Sequence, residues 1–353
     1  MSLLDDTIAS IKPPDDDARR AAAQRLDSLT KPRGSLGYLE ELVCRYAAIR
    51  HDPAATAGAA SMLVFVADHG IAREGVSAYP QAVTEQMLRN FARGGAAISV
   101  LARHYGYRLK VVDMGVATDT SSEGLPGVTY RRIGAGTDNF LREPAMNAGQ
   151  AARALEAGIE IVSEAIAGGS TVVGIGEMGI ANSTAAAALL SALTGIDAAR
   201  MAGRGTGLDD AGWRRKVEVL RAALDRHRDT FSDGRQLLAA LGGFEIAAMA
   251  GVCLGAAARR VPTVVDGFIA TAAAAIADKI ATGLAAHLFF SHRSAEGGHD
   301  RVLEHLGARP ILDLDLRLGE GTGAAIAISV LQAALAAFHG MATFAGAGVA
   351  EKL

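Results

Sequence analysis

Cysteine is nearly absent. Cys44 and Cys253 are the only two in 353 residues. Thiols so far apart in sequence make neither a zinc cluster nor a disulfide framework, and a reducing compartment is the expected setting. No charge of one sign dominates either. The 35 basic and 38 acidic residues give a formal charge of -3, which leaves no electrostatic footprint for nucleic acid. The opening stretch, MSLLDDTIASIKPPDDD, lacks a basic segment followed by a long apolar one, so no secretory signal is expected there. From Gly321 to Ala350 there is no Asp, Glu, Lys or Arg. That run is mostly Ala and Gly, broken by Gln332, His339 and Gly340, whereas a membrane span takes about 20 strongly apolar residues. Two buried helical pieces, divided near His339-Gly340, are expected instead. Also missing are a nucleophile-elbow Ser, a Walker A loop, an H-E-x-x-H helix and a C-x-x-C pair. His292 and His299 share a loop without an evident third ligand, so no metal site is expected. There is no internal repeat and no low-complexity linker.

What is present is alternation. Half of the residues are hydrophobic, enough for one large domain or two ordinary ones. Residues 15–50 read as two helices separated by the turn residues of TKPRGSLG. Five β-rich runs follow, at 61–70, 108–115, 170–177, 261–268 and 310–321, ending at Asp68-His69, Asp113, Glu177, Asp266 and Glu320. Ala-rich helices are expected at 82–104, 147–166, 183–193, 245–259 and 269–282. Continuously apolar strands alternating with helices predict an α/β fold with a mostly parallel, Rossmann-like sheet covered by helices. The helices of both chain ends lie outside the alternation and are expected to form a small helical domain, residues 1–55 with 325–353, beside a large domain at 56–324. In such sheets ligands bind beyond the carboxyl ends of the strands, which is where the acids fall.

VVGIGEMGIANS (172–183) contains G-x-G-x-x-G. A dinucleotide fingerprint also needs a helix starting inside the motif and an acid at the end of a second strand about 20 residues on. Here the helix is expected after Asn182-Ser183-Thr184, Asp197 is not at a strand end, and Glu177 would face the pyrophosphate. The other reading is a tight turn where backbone passes close to a helix.

Four further segments carry polar groups. In LRLGEGTGAAIAISVLQAAL (316–335), Glu320 sits between Gly319 and Gly321 before a long helix, as either a helix-terminus charge or a catalytic carboxylate. SHRSAEGGH (291–299) suits a phosphate or ribose contact, or an ordinary polar loop. GRGTGLDDAGWRRKVEVL (203–220) places Arg204 and Lys216 where they reach an anion or simply water. ADHGIAREGVSAYPQAVTEQM (67–87) carries Asp68, His69, Tyr79 and Gln86, and Tyr79-Pro80 offers a flat apolar surface to an aromatic ligand. VVDG supplies one acid, not the pair that would hold Mg²⁺ on a pyrophosphate leaving group.

LTKPRGSLGYLEEL, ADHGIAREGVSAYPQAVT, GIGEMGIANST, GGFEIAAMAGVCLGAA, VVDGFIATAAA, SHRSAEGG and RLGEGTGAA occur in this order. Together they resemble the nicotinate-nucleotide–dimethylbenzimidazole phosphoribosyltransferase family over about residues 10–345. The resemblance implies an α/β domain with a small helical domain, and a homodimer; the residues themselves predict a cytoplasmic protein without cofactor or metal. It implies transfer of phosphoribose from nicotinate mononucleotide to 5,6-dimethylbenzimidazole, giving α-ribazole 5′-phosphate and nicotinate. Glu320 would be the catalytic base, with Glu177 a second acid and Lys216 a third catalytic group. Gly176, Asn182, Ser183, Thr184, Gly203, Ser291, Arg293, Ser294, Gly319 and Gly321 would hold phosphate and ribose. Asp68, Tyr79, Gln86 and Leu318 would form the base pocket. A nicotinamide-dependent oxidoreductase and a non-catalytic benzimidazole or nucleotide sensor are the competing classes; the intact Glu177 and Glu320 argue against the sensor.

Overall fold

Every strand of the single sheet runs parallel to its neighbours. The strands are β1 (Ala59–Ala67), β2 (Arg108–Gly115), β3 (Val128–Tyr130), β4 (Ser170–Met178), β5 (Thr263–Val265), β6 (Leu288–His292) and β7 (Pro310–Leu312), in the order β3-β2-β1-β4-β5-β6-β7. The computed structural model describes residues 2–205 and 207–350. Winding proceeds outward from β1 to β3 and then outward the other way from β4 to β7. The switch between β1 and β4 opens a crevice at the carboxyl ends of the strands.

Apolar residues on both sides of the strands explain why both faces are covered. In β1, Leu63 and Phe65 enter one core while Met62, Val64 and Val66 enter the other, following the two-residue period of a strand. The first core is closed by helices Ala148–Ala167, Asn182–Thr194, Phe244–Ala258 and Phe268–Ile280. Two of these helices cross backbone to backbone: a methyl on Gly158 would overlap the Ala248 carbonyl, and one on Gly251 the Leu155 carbonyl. The second core is closed by helices from both chain ends, Asp16–Ser28, Tyr38–Arg50 and Thr322–Gly340, together with Val83–Ala92 and Ala97–Tyr105. Thr322–Gly340 is long and apolar enough to cross a membrane, but here it lies on the sheet with Ala324, Ile328 and Leu331 buried.

Several boundaries differ from the sequence reading. The expected strand at 310–321 ends at Leu312. The Asp-Leu alternation beyond it has no strand to pair with at the sheet edge. Its chain folds over the crevice instead, with the Ala295 N–H donating to the Leu316 carbonyl at 3.1 Å. Glu320 is therefore in a loop, not at a strand end. The helix expected at 82–104 breaks at Gly94-Gly95 into two. The helix after β4 starts at Asn182, because Ala181 takes the left-handed conformation (φ 75) immediately before it. The last helix ends at Gly340, and the short piece that follows, Phe344–Ala347, is not buried. Helix Leu3–Ser10 and strands β3 and β6 have no counterpart in the sequence reading.

Candidate active site

The glycines of G-x-G-x-x-G do not form a phosphate turn. Gly174 and Gly176 lie inside β4, on the face covered by helix Thr322–Gly340. A methyl on Gly174 would come within 3.1 Å of Ile328, and one on Gly176 would overlap the Gly321 nitrogen and lie 2.5 Å from the Glu320 carbonyl carbon. Gly176 lets the loop 319–321 rest directly on the strand, while Gly174 leaves room for Met62 and Ile328. The second sequence reading, a close passage of backbone and helix, is the physical one, although it occurs in a strand and not a turn.

Above this crossing lies a cleft of 540 Å³, within the range of small-molecule sites. Glu177 at the end of β4, Asp266 after β5 and His292 at the end of β6 all line it. The start of helix Asn182–Thr194 and the loop 315–319 supply further walls, with Tyr79 and Leu318 exposed at the rim.

Three carboxylates gather at one end. Glu177 is buried and accepts a hydrogen bond from the Asn182 side-chain amide. Burial pushes its carboxyl up to about 8, despite that bond, and the nearby Glu245, Asp266 and Glu320 add to the shift. Asp266 accepts from the Gly321 and Ala324 N–H groups, both at 3.0 Å, and so ties β5 to the start of helix Thr322–Gly340. Burial still pushes it up to about 7. Glu320 is raised by burial as well. Its backbone is left-handed (φ 63), and one carboxylate oxygen accepts from the Ile98 N–H at 3.3 Å.

A cation stands at the other end. Lys216 is completely buried, and its Nζ donates to Ser183 Oγ at 3.0 Å and to the Gly203 carbonyl at 3.2 Å. Burial lowers it to about 8. Glu296 lines the cleft here and accepts from the Gly205 N–H at 2.9 Å.

The structure brings together much of the expected set. Glu177, Asn182, Ser183, Ser294, Gly319, Tyr79 and Leu318 line the cleft. Lys216 stands behind Ser183, and Gly203 packs against Glu296. Gly176 and Gly321 meet beneath the site, while Thr184 is buried in the first turn of its helix. Glu320 itself faces the start of helix Ala97–Tyr105. Ser291 lies behind His292, and Arg293 points outward to Asp300 and Asp313. Asp68 accepts from the Ala117 N–H at 2.7 Å, and Gln86 is exposed; neither lines the cleft. The sequence reading left Asp266, His292 and Glu296 out of the site. Their positions at strand ends and in the quoted loop were the available signal.

One consequence concerns stability. The folded Glu177 carboxyl titrates near 8 and the unfolded one near 4.5, so the folded state keeps a proton that the unfolded state releases. The associated stability is complete below 4.5 and is lost as pH rises through 8. Glu177→Gln keeps an acceptor for Asn182 without this loss. Its Tm relative to wild type is expected to rise between pH 5 and 8.5, by up to about 1.4 kcal/mol of stability per pH unit. Thermal unfolding at both pH values checks this, and a constant difference would refute it.

An all-parallel sheet with a polar cleft at its switch point, acids at one end and a buried lysine at the other, defines a small-molecule site of the open α/β class. A family model described as phosphoribosyltransferase matches residues 11–349. The chain is 52% identical to the nicotinate-nucleotide–dimethylbenzimidazole phosphoribosyltransferase of Chloroflexus aurantiacus, over 100% of both chains. It is 50% identical to that of a Roseiflexus species, over 100% of this chain and 99% of the relative. The crystal structure of CobT from Thermus thermophilus superposes with a TM-score of 0.91 at 46% identity, covering 95% of this chain and 100% of that one. The chain belongs to the nicotinate-nucleotide–dimethylbenzimidazole phosphoribosyltransferase family, and it is a transferase.

Proposed function

We propose that this enzyme transfers phosphoribose from nicotinate mononucleotide to 5,6-dimethylbenzimidazole, releasing nicotinate and forming α-ribazole 5′-phosphate. The observation that carries the reading is the polarity of the cleft: buried Glu177 and Asp266 line one end with Glu320 close by, and Ser183 lines the other with Lys216 behind it. The phosphate pairs with Lys216 and the start of helix Asn182–Thr194, whose dipole favours an anion. C1′, with its cationic pyridinium, then lies toward the carboxylates.

Nicotinate leaves as a neutral ring nitrogen, so its departure needs little acid help. The attacking benzimidazole becomes cationic, and its second N–H turns acidic. Glu320 takes that proton; general-base assistance of this kind is worth about 10²–10⁴-fold. Attack on the face opposite nicotinate inverts C1′, and holding two flat rings across it supplies orientation. Glu320 must turn from the Ile98 N–H toward the cleft. That bond, at 3.3 Å, is beyond the ordinary range and weak enough to exchange.

One observation favours a second reading. Glu177, not Glu320, lines the cleft. In that reading Glu177 accepts the proton and Glu320 only caps helix Ala97–Tyr105.

Incubating the purified protein with nicotinate mononucleotide and 5,6-dimethylbenzimidazole tests the reaction. Chromatography is expected to show nicotinate and the α-nucleotide in equal amounts; a β-nucleotide or no nicotinate would overturn it. On the family resemblance we also propose a homodimer, cytoplasmic as the residues predict, whose assembly sedimentation of the purified chain checks.

A further inference from the structure

We propose that His292 selects a ribosyl over a deoxyribosyl donor, its Nε2 hydrogen-bonding a ribose hydroxyl in the middle of the cleft. This rests on the phosphoribosyl reading above and adds a residue and a specificity to it.

Three observations lead there. First, the other polar side chains at the end of β6 and in the loop after it already have partners, including Ser294 and Glu296, which line the cleft as well. Arg293 is taken by Asp300 at 2.8 Å and Asp313 at 3.4 Å on the outside. Ser291 Oγ bonds His292 Nδ1 at 2.8 Å, and Ser294 Oγ accepts from the Glu296 N–H at 3.2 Å.

Second, the imidazole is held rigidly with one nitrogen unused. His292 is 2% exposed yet lines the cleft. The ring is packed between two glycines. A methyl on Gly323 would overlap Nδ1, and one on Gly267, a cleft residue, would sit 3.3 Å from Nε2. Nδ1 is engaged by Ser291, while Nε2 has no hydrogen-bond partner among the described residues. Burial lowers the imidazole to about 4, so at neutral pH it is uncharged and adds no repulsion to a cationic ring. Either tautomer serves, because a hydroxyl both donates and accepts.

Third, His292 stands between the two ends of the site. Its Nδ1 is 3.9 Å from Asp266 Oδ1 on the acidic side. On the other side come Ser294, whose Oγ would be 3.7 Å from a methyl on Gly267, and then Glu296, bonded to Gly205 near Lys216. A 5-phosphoribosyl group with C1′ at the carboxylates and its phosphate at Lys216 spans this interval. Its hydroxyls fall at the middle.

The test compares nicotinate mononucleotide with its 2′-deoxy and 3′-deoxy analogues, using wild type, His292→Ala and His292→Gln. Wild type is expected to lose about 10²-fold or more in kcat/KM with one of the two analogues, as sites that bond a hydroxyl reject its absence. His292→Ala should lower kcat/KM for the ribosyl donor by about 10–100-fold and compress that preference to less than about tenfold, leaving KM for 5,6-dimethylbenzimidazole within about threefold. His292→Gln, which keeps an amide near the Nε2 position, should recover part of the preference. An unchanged ribosyl/deoxyribosyl ratio in His292→Ala would overturn the proposal. So would a wild type indifferent to both analogues, a measurement that needs no variant to fold. If wild type releases no nicotinate from any donor, the phosphoribosyl reading fails first. Calorimetry with ribose 5-phosphate and 2- and 3-deoxyribose 5-phosphates then decides on His292 separately: equal affinities in wild type, or a preference unchanged in His292→Ala, overturn it, and a preference lost in His292→Ala and partly kept in His292→Gln supports it.

Discussion

Glu320→Gln is expected to fold as wild type does and to lose about 10²–10⁴-fold in kcat. The amide keeps an oxygen to accept from the Ile98 N–H, so the tie to helix Ala97–Tyr105 survives. It cannot take up the benzimidazole proton. Glu320→Ala removes both functions. Its kcat should fall as far, and its stability should drop by about 0.5–2 kcal/mol, the usual cost of losing a helix cap. The base must be ionised, and burial raises Glu320 above the ordinary carboxylate range. Wild-type activity should therefore increase with pH through that raised value, and Glu320→Gln should lack this limb. Glu177→Gln run in parallel separates the two readings of the site. If Glu177→Gln loses the limb and the rate while Glu320→Gln keeps both, Glu177 is the base and Glu320 only a cap. Rates and unfolding curves for the three variants are sufficient.

Gly176→Ala is expected to lower kcat by about 10²-fold, although residue 176 carries no functional group. Its added methyl would overlap the Gly321 nitrogen and press on the Glu320 carbonyl carbon. Both are backbone atoms, so no side chain can rotate away. The loop 319–321 must lift off β4. That loop carries Glu320 and is tied to Asp266 through the Gly321 N–H at 3.0 Å. A shift of about 1 Å at a reacting group is enough for such a loss. Overpacking of this kind also costs about 1–3 kcal/mol of stability. The two effects are read separately, as kcat at a temperature well below Tm and as Tm itself. Wild-type turnover in Gly176→Ala would mean that the loop's position does not govern the chemistry.

The same glycine shows where sequence reasoning stops. A G-x-G spacing is compatible with a phosphate turn, a bulge or a strand that another segment touches. Its meaning depends on what packs against it, and that partner lies more than a hundred residues away. Likewise the Asp-Leu-Asp-Leu run after Pro310 has the period of a strand, but a strand needs a neighbour, and the sheet edge provides none beyond Leu312. Arg293 and Ser291 carry the right chemistry in the right loop, yet alternation along the chain turns His292 inward between them.

What the sequence determined by itself was local and periodic. Continuously apolar strands alternating with Ala-rich helices required a parallel sheet covered on both faces, because each strand had no polar side to show to water. Acids following the strands placed the polar ends at one edge of that sheet. The tertiary structure decided which acids meet. Asp266 caps a helix that begins 56 residues later, Glu320 rests against the start of a helix more than two hundred residues earlier, and both neighbour Glu177. Charges pushed together out of water shift one another's protonation, and that property belongs to the packed site and not to any segment of the chain.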